Sequence, residues 1–238
     1  MARESGPTRR SVLRSATMLA PALLMGADAM PSRARQAQKQ PAGEQEVSTV
    51  EDLMREHGVL RRVLFIYGEA IRLIAQKGDL PPAVVAGAAG LVRRFVEDYH
   101  EKLEEDYLFP RFQKAATEVD LVKVLADQHQ KGRTLTGEIL TFSTAAALKN
   151  ARDRDRLQGR MELFIRMYGP HAAREDTVLF PAFKKLVSPA EYDALGDEFE
   201  KKEQQMFGQD GFEKSVDEVA ALEKQIGIYD LAQVTPRV

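Results

Sequence analysis

The chain has 238 residues, 44% of them apolar and 29% charged, which is enough hydrophobic material for a core and excludes both a disordered polymer and a purely membrane-embedded chain. Its net charge of −2 leaves no basic excess of the size that phosphate neutralisation needs, so nucleic acid is not an expected partner. With no cysteine, disulfides, thiolate nucleophiles, Cys-based zinc sites and iron–sulfur ligation are all excluded, and any metal must be held by His, Asp or Glu.

The N-terminus joins a basic start to an apolar run, Met18 to Met25, that ends at the small-residue pattern Ala27-Asp28-Ala29. That is the three-part layout of a signal peptide. Within it, Thr8-Arg9-Arg10-Ser11-Val12-Leu13-Arg14 resembles the twin-arginine (Tat) export motif, with Val12 in place of the usual aromatic residue. The resemblance implies passage through the twin-arginine translocase, in a folded state and often with a cofactor already in place, to a periplasmic or extracytoplasmic location. The apolar run is too short, and too interrupted by Pro21, Gly26 and Asp28, for a permanent membrane span. Cleavage after Ala29 leaves 30 basic against 34 acidic residues, a mature charge of −4. Residues 31–46 contain no large apolar side chain and read as the body of a flexible linker over 30–47.

From Ser48 onward helical signals dominate, opening with Ser48-Thr49-Val50-Glu51, a capping-box pattern. In the first helix Val50, Leu53, Met54, Leu60, Leu64, Ile71 and Ile74 recur at three and four, with His57 on the same stripe, and Lys77-Gly78-Asp79 stops it. Pro81-Pro82 starts a second helix whose stripe runs from Val84 to Tyr107, joined by His100 and Glu104. A third is expected from about Glu118 to Leu148 around His129, and a fourth from about Arg152 to Val187. Beyond Ser188-Pro189, Ala190 to Phe207 reads as a shorter helix and Glu213 to Ile226 as another. The expected segments are therefore a signal peptide (1–29), a linker (30–47), a helical bundle (48–187) and a C-terminal helical extension (188–238).

Sliding the chain on itself by 71 aligns His100-Glu-Lys-Leu-Glu104-Glu-Asp-Tyr-Leu-Phe-Pro110-Arg-Phe-Gln-Lys114 with His171-Ala-Ala-Arg-Glu175-Asp-Thr-Val-Leu-Phe-Pro181-Ala-Phe-Lys-Lys185, seven of fifteen positions being identical. A shift of 72 lays His57 on His129. The repeat unit is thus a helical hairpin with one His on its first helix and His-x3-Glu on its second, and two hairpins make an all-α, up-down-up-down four-helix bundle. At 1.5 Å rise per residue, His57 lies roughly 30 Å and His100 roughly 27 Å from their shared turn, and His129 and His171 roughly 28 Å from theirs, so all four imidazoles fall in one layer. Glu104 and Glu175 lie one turn from His100 and His171 on the same faces.

A lone histidine on an apolar stripe is more often a hydrogen-bonded core residue than a ligand, and a single His-x3-Glu pair is common on solvated helices. Here every histidine of the chain is used, one on each of four helices, and two carboxylates join them in a core where they are costly without a cation. The expected metal ligands are His57, His100, Glu104, His129, His171 and Glu175. Imidazole and carboxylate without sulfur suit iron, manganese or zinc, and six ligands with two potential bridges suggest two ions. Open coordination positions would remain for water, dioxygen, peroxide or nitric oxide.

At these residues the chain resembles the hemerythrin-like (HHE, cation-binding) family over about Thr49 to Val187, the paired His-x3-Glu with Leu-Phe-Pro four residues on carrying the likeness. The resemblance implies a four-helix bundle of hemerythrin type around a non-haem di-iron centre held by those six residues. Oxygen-carrying members have a second histidine one turn after the third-helix ligand, where this chain has Arg133, and usually an Asp five residues after the last His, which here is Asp176 in competition with Glu175. Reversible dioxygen carriage is therefore in doubt, and Arg133 is a candidate to neutralise a carboxylate. Glu101 reads first as a solvated helix-face residue and second as an extra ligand or hydrogen-bond acceptor. Tyr99, Tyr107 and Tyr168 read as core aromatics before redox or proton-donating phenols. Phe-Pro at 109–110 and 180–181 reads as a helix kink or stop.

The leading reading is an exported di-iron protein that binds, senses or reacts with a small diatomic or peroxide ligand, or handles iron. It is a binding protein before a dedicated enzyme, since no electron or proton supply is evident and no redox partner can be named. The alternatives are a peroxide- or nitric-oxide-reducing di-iron enzyme, and a helical interaction module with a structural zinc or manganese site. Nucleotide and hydrolase functions have no supporting motif.

Overall fold

Apolar residues at three- and four-residue intervals produce helices throughout residues 47–237, the part of the chain that the computed structural model describes, and no strand occurs among them. The signal-peptide and twin-arginine expectations, and all but the last residue of the linker, lie outside the described residues. Eight helices follow: α1 (Thr49–Ala75), α2 (residues 82–115), α3 (Val119–Phe142), α4 (Ala145–Lys149), α5 (residues 151–186), α6 (Pro189–Phe207), α7 (Gly211–Ile226) and α8 (Leu231–Val234). Helices α1, α2, α3 and α5 each pack on two of the others in a closed ring, α1 on α2, α2 on α3, α3 on α5 and α5 on α1, which is the four-helix bundle that the repeat predicts.

Local chemistry departs from expectation at three places. The capping box does not form, because Ser48 makes no side-chain cap; the hydroxyl of Tyr192 on α6 instead accepts the Val50 N–H at 3.0 Å, and Thr49 Oγ1 donates to the Tyr192 carbonyl at 2.8 Å. A tertiary contact thus replaces the local one. The third helix stops at Phe142 rather than near Leu148: Ser143 Oγ donates to the Ile139 carbonyl at 2.6 Å, and Thr144 caps α4 by accepting the Ala147 N–H. Hydroxyl side chains there compete for the backbone groups a continuous helix would use.

The third departure concerns Phe-Pro, which neither stops nor visibly breaks its helix. Pro110 and Pro181 cannot donate the N–H that a regular turn requires, and the turn before each widens to a π-helix, Glu104–Leu108 in α2 and Glu175–Leu179 in α5. The N–H groups of Phe109 and Phe180 reach five residues back, to the carbonyls of Glu104 and Glu175. A further π segment, Val92–His100, ends at the histidine of α2. Both wide turns therefore begin at the two glutamates of the repeat.

Helices α6 and α7 do not stand apart from the bundle. Phe199 of α6 and Phe212, Val219 and Leu222 of α7 belong to the same buried apolar cluster as α1 and α2. Arg62 of α1 donates to Glu223 of α7, and Arg94 of α2 to Glu218. Among the described residues no helix is long and apolar enough to cross a membrane.

Candidate metal centre

The equal arm lengths of the two hairpins bring all four histidines together. His57 of α1 and His100 of α2 approach to 3.0 Å between Nε2 atoms, and the rings of His129 of α3 and His171 of α5 lie 5.1 Å apart. Glu175 Oε2 stands 3.1 Å from His171 Nε2 and 3.3 Å from His57 Nε2, and its Oε1 4.0 Å from His129 Nε2. Glu104 reaches His129 Nε2 at 3.4 Å and His100 Nε2 at 3.8 Å. Each carboxylate therefore spans both hairpins, and each hairpin contributes one group of ligating atoms: His57, His100 and Glu104 from the first, His129, His171 and Glu175 from the second. All six residues are buried.

The outer edges of the rings are as ordered as the inner ones. His57 Nδ1 lies 2.7 Å from Asp176 Oδ1, His100 Nδ1 2.6 Å from Glu56 Oε2, His129 Nδ1 3.1 Å from Glu105 Oε1, and His171 Nδ1 2.8 Å from Gln128 Oε1. A carboxylate or amide oxygen accepts only, so each ring carries a proton on Nδ1 and turns its Nε2 atom to the centre. Two partners are themselves held by cations: Asp176 by Arg61, and Glu105 by Arg133 at 2.7 Å. Arg61 and Arg133 each follow the first-helix histidine of their hairpin by one turn, so Arg133 is the repeat counterpart of Arg61. It neutralises carboxylates, as its position suggested.

The aromatic rings of the Leu-Phe-Pro motif complete the enclosure. Phe180 stacks on His57 with ring centroids 5.4 Å apart, and Phe109 stacks on His129 at 5.5 Å. Each Phe of one hairpin's second helix thus braces the first-helix histidine of the other hairpin, which gives the motif a role beyond turning the chain.

Electrostatics mark the centre as incomplete without positive charge. Both oxygens of Glu104, both of Glu175, and His129 Nε2 are buried without a hydrogen-bond partner, and among the described residues no Lys or Arg reaches either carboxylate. Burial, reinforced by the facing Glu175 carboxylate, pushes the Glu104 carboxyl well above its usual range. Burial opposes ionisation of Glu175 too, but His171 and His57 outweigh it and hold that carboxyl below the usual range. His57 loses basicity to burial and regains more from Asp176 and Glu175, which raise it to about 9. The raised proton affinity of Glu104 and of His57 shows that the centre calls for positive charge. A bound cation would satisfy the same orphaned oxygens, so the donor set and its burial fit a metal site.

The remaining sequence candidates fall around this centre. Glu101 is not solvated: it is 1% exposed, accepts from the Tyr168 hydroxyl at 2.6 Å and pairs with Arg133 at 2.8 Å. Burial raises its carboxyl to about 8 against the pull of Tyr168 and Arg133. Glu101 lies three residues before Glu104 and four after the buried Glu97, on a face that Tyr168 and Arg133 cover. Tyr99 and Tyr168 are buried core aromatics as expected, and Tyr107 is partly buried with its hydroxyl 3.4 Å from Glu198. Gly132 makes room for Tyr168, since a Cβ there would sit 1.9 Å from the phenolic oxygen. Sequence reading passed over Glu56, Glu105, Gln128 and Arg61 altogether. The signal available was adjacency: every residue that holds an Nδ1 precedes or follows a ligand candidate, yet serves a histidine on another helix.

Comparison with known proteins agrees with this geometry. The family described as Hemerythrin HHE cation binding domain matches residues 48–183. Uncharacterized proteins of Mycobacterium bovis and of two Mycobacterium tuberculosis strains are each 47% identical over 196 residues, 82% of this chain and 77% of theirs. No solved structure matches.

Proposed function

Since the chain belongs to the family of hemerythrin HHE cation-binding domains, we propose that its bundle holds a pair of non-haem iron ions and uses them to bind, sense or react with dioxygen, peroxide or nitric oxide, or to handle iron. The observation that carries this reading is the convergence of four Nε2 atoms, each with its Nδ1 proton held outside, on two buried carboxylates that lack any other cation. His57, His100, His129 and His171 are the imidazole ligands, and Glu104 and Glu175 the carboxylates that span the pair. Asp176 is not a ligand in this account, since it faces the outer edge of His57 and is paired with Arg61. When bound, the ions supply open coordination positions and a change of oxidation state.

The chain's own residues do the rest. Asp176, Glu56 and Glu105 strengthen and orient their imidazoles, Arg61 and Arg133 keep two of those carboxylates ionised, and Phe109 and Phe180 exclude water from the flanks. Arg133 replaces the additional imidazole of oxygen carriers, so this reading favours a sensor, a reactive centre or an iron handler over reversible carriage. The twin-arginine pattern at residues 8–14 supports export to the periplasm with iron in place.

Elemental analysis of the purified full chain, with visible spectra before and after oxidation, tests the reading. About two irons per chain with absorption that responds to oxidation is the expected result. Stoichiometric zinc or manganese contradicts the iron assignment, and no bound metal after reconstitution contradicts the site. Replacing Arg9 and Arg10 together by Lys is expected to abolish export, and continued export contradicts the twin-arginine route.

A further inference from the structure

The two hairpins repeat their outer hydrogen bonds almost position for position, and they differ at one. Glu105 of the first corresponds to Asp176 of the second, both carboxylates that hold the first-helix histidine of the other hairpin. Arg61 corresponds to Arg133, both clamping those carboxylates. Glu56 corresponds to Gln128, and here a carboxylate is matched by a neutral amide. Glu56 holds His100 at 2.6 Å and Gln128 holds His171 at 2.8 Å, each from the residue just before the first-helix histidine. Of the four imidazoles, His171 alone has an uncharged partner.

The partner also differs in its surroundings. Glu56 is 2% exposed, deep between α1, α2 and α6, where Asp52 and Glu203 stand beside it. Gln128 is half-buried, and its side chain's only hydrogen bond among the described residues is the one to His171. It lies on the wall of a surface groove of about 500 Å³ between α3 and α5, lined in part by Leu121, Val124, Pro170 and Arg174, with His171 at its floor. None of the other three histidines lines this groove.

We propose that Gln128 makes the two halves of the centre unequal: the ion held by His129, His171 and Glu175 binds more weakly than the ion held by His57, His100 and Glu104, and exchanges through the groove over His171. This rests on the metal-pair reading above. A carboxylate on Nδ1 places negative charge on the ring and makes Nε2 a stronger donor, whereas an amide orients the ring without adding charge. Loss or change of such partners typically alters metal affinity about 10- to 100-fold, which sets the size of the asymmetry. The weaker hold coincides with the one ligand that has a solvent-facing partner and an open approach.

Anaerobic titration of the metal-free full chain with iron(II), followed by stopped-flow release to a ferrous chelator, tests this without reference to turnover. The wild type is expected to bind two ions in steps at least about tenfold apart and to release them in a fast and a slow phase. Gln128→Glu, which gives the second hairpin the residue of the first, is expected to tighten the weaker step about tenfold and slow the fast phase, leaving the tighter step within about twofold. Glu56→Gln, the converse exchange, is expected to weaken the tighter step instead. Gln130→Glu adds the same charge on an exposed face of α3 without touching His171 and is expected to change neither step appreciably. Val124→Trp, which fills the groove, is expected to slow the fast phase with little change in affinity.

Two ions of equal affinity in the wild type overturn the proposal. So does a Gln128→Glu variant that shifts both steps alike or neither, or a Gln130→Glu variant with the same effect. These outcomes leave the metal-pair reading standing. A chain that binds no iron(II) overturns both.

Discussion

Glu104→Gln should stabilise the metal-free protein while destroying its ability to hold a metal pair. Glu104 is 0% exposed, both its oxygens lack hydrogen-bond partners, and burial together with Glu175 pushes its carboxyl well above the usual range. Folding without metal therefore buries, against its desolvation cost, a group that is ionised in the unfolded chain at pH 7, where its pKa is about 4.3. Leaving a buried polar group without a partner costs about 1–3 kcal/mol, more when the group is charged, and glutamine removes the charge. Allowing for imperfect hydrogen bonding of the new amide, the gain is about 1–2 kcal/mol, or roughly 2–8 °C in melting temperature for a chain of this size.

The sign follows from proton uptake: the folded wild type binds more protons than the unfolded chain, so its stability falls as pH rises, and the advantage of glutamine grows with it. Near pH 4, where the unfolded glutamate is also protonated, the two proteins should be nearly equal. Urea unfolding of both, stripped of metal, at pH 4.5 and pH 7 measures the difference, and iron(II) titration measures the loss of binding. A Glu104→Gln variant that is less stable than wild type at pH 7, or whose advantage does not shrink toward pH 4, refutes the argument that the centre is built for cations.

Metal binding itself should be proton-linked: His57, raised to about 9, and Glu104 both carry protons that cations must displace, so iron(II) affinity should climb from pH 6 to about 9. Calorimetry in two buffers of different ionisation enthalpy counts the protons released, and a pH-independent affinity contradicts the assignment. Gly132→Ala should destabilise the bundle by about 3–5 kcal/mol in urea, because the new methyl overlaps Tyr168 and drives its hydroxyl from the buried Glu101 carboxylate; a loss under about 1 kcal/mol contradicts the packing described. Tyr192→Phe should cost about 1–3 kcal/mol by leaving the Val50 N–H unpaired, and hydrogen exchange should speed at the first turn of α1 and nowhere else.

The fold was legible because the evidence for it is periodic and repeated. His57, His100, His129 and His171 sit on apolar stripes of similar length on either side of two turns, and helix rise alone places them in one layer. The π turns were not legible. Pro110 and Pro181 announced a disturbed helix but not its form. Glu56, Glu105, Gln128 and Arg61 of the outer ring escaped for a different reason, since each looks like an ordinary polar residue near a ligand and its partner lies across a helix interface; Asp176 was noticed, but as a competing ligand. Spacing within one helix fixes which residues share a face. It does not say which edge of a ring on the next helix they will meet.

The central claim, that two ions share these six side chains, is tested most directly by X-ray diffraction from iron-loaded crystals at the iron absorption edge. The account predicts two anomalous peaks among the Nε2 atoms of His57, His100, His129 and His171, both touched by Glu104 and Glu175, with Asp176 remaining on the outer edge of His57. A single peak, a peak among Asp52, Glu56 and Glu203, or Asp176 turned inward in place of Glu175 would contradict it.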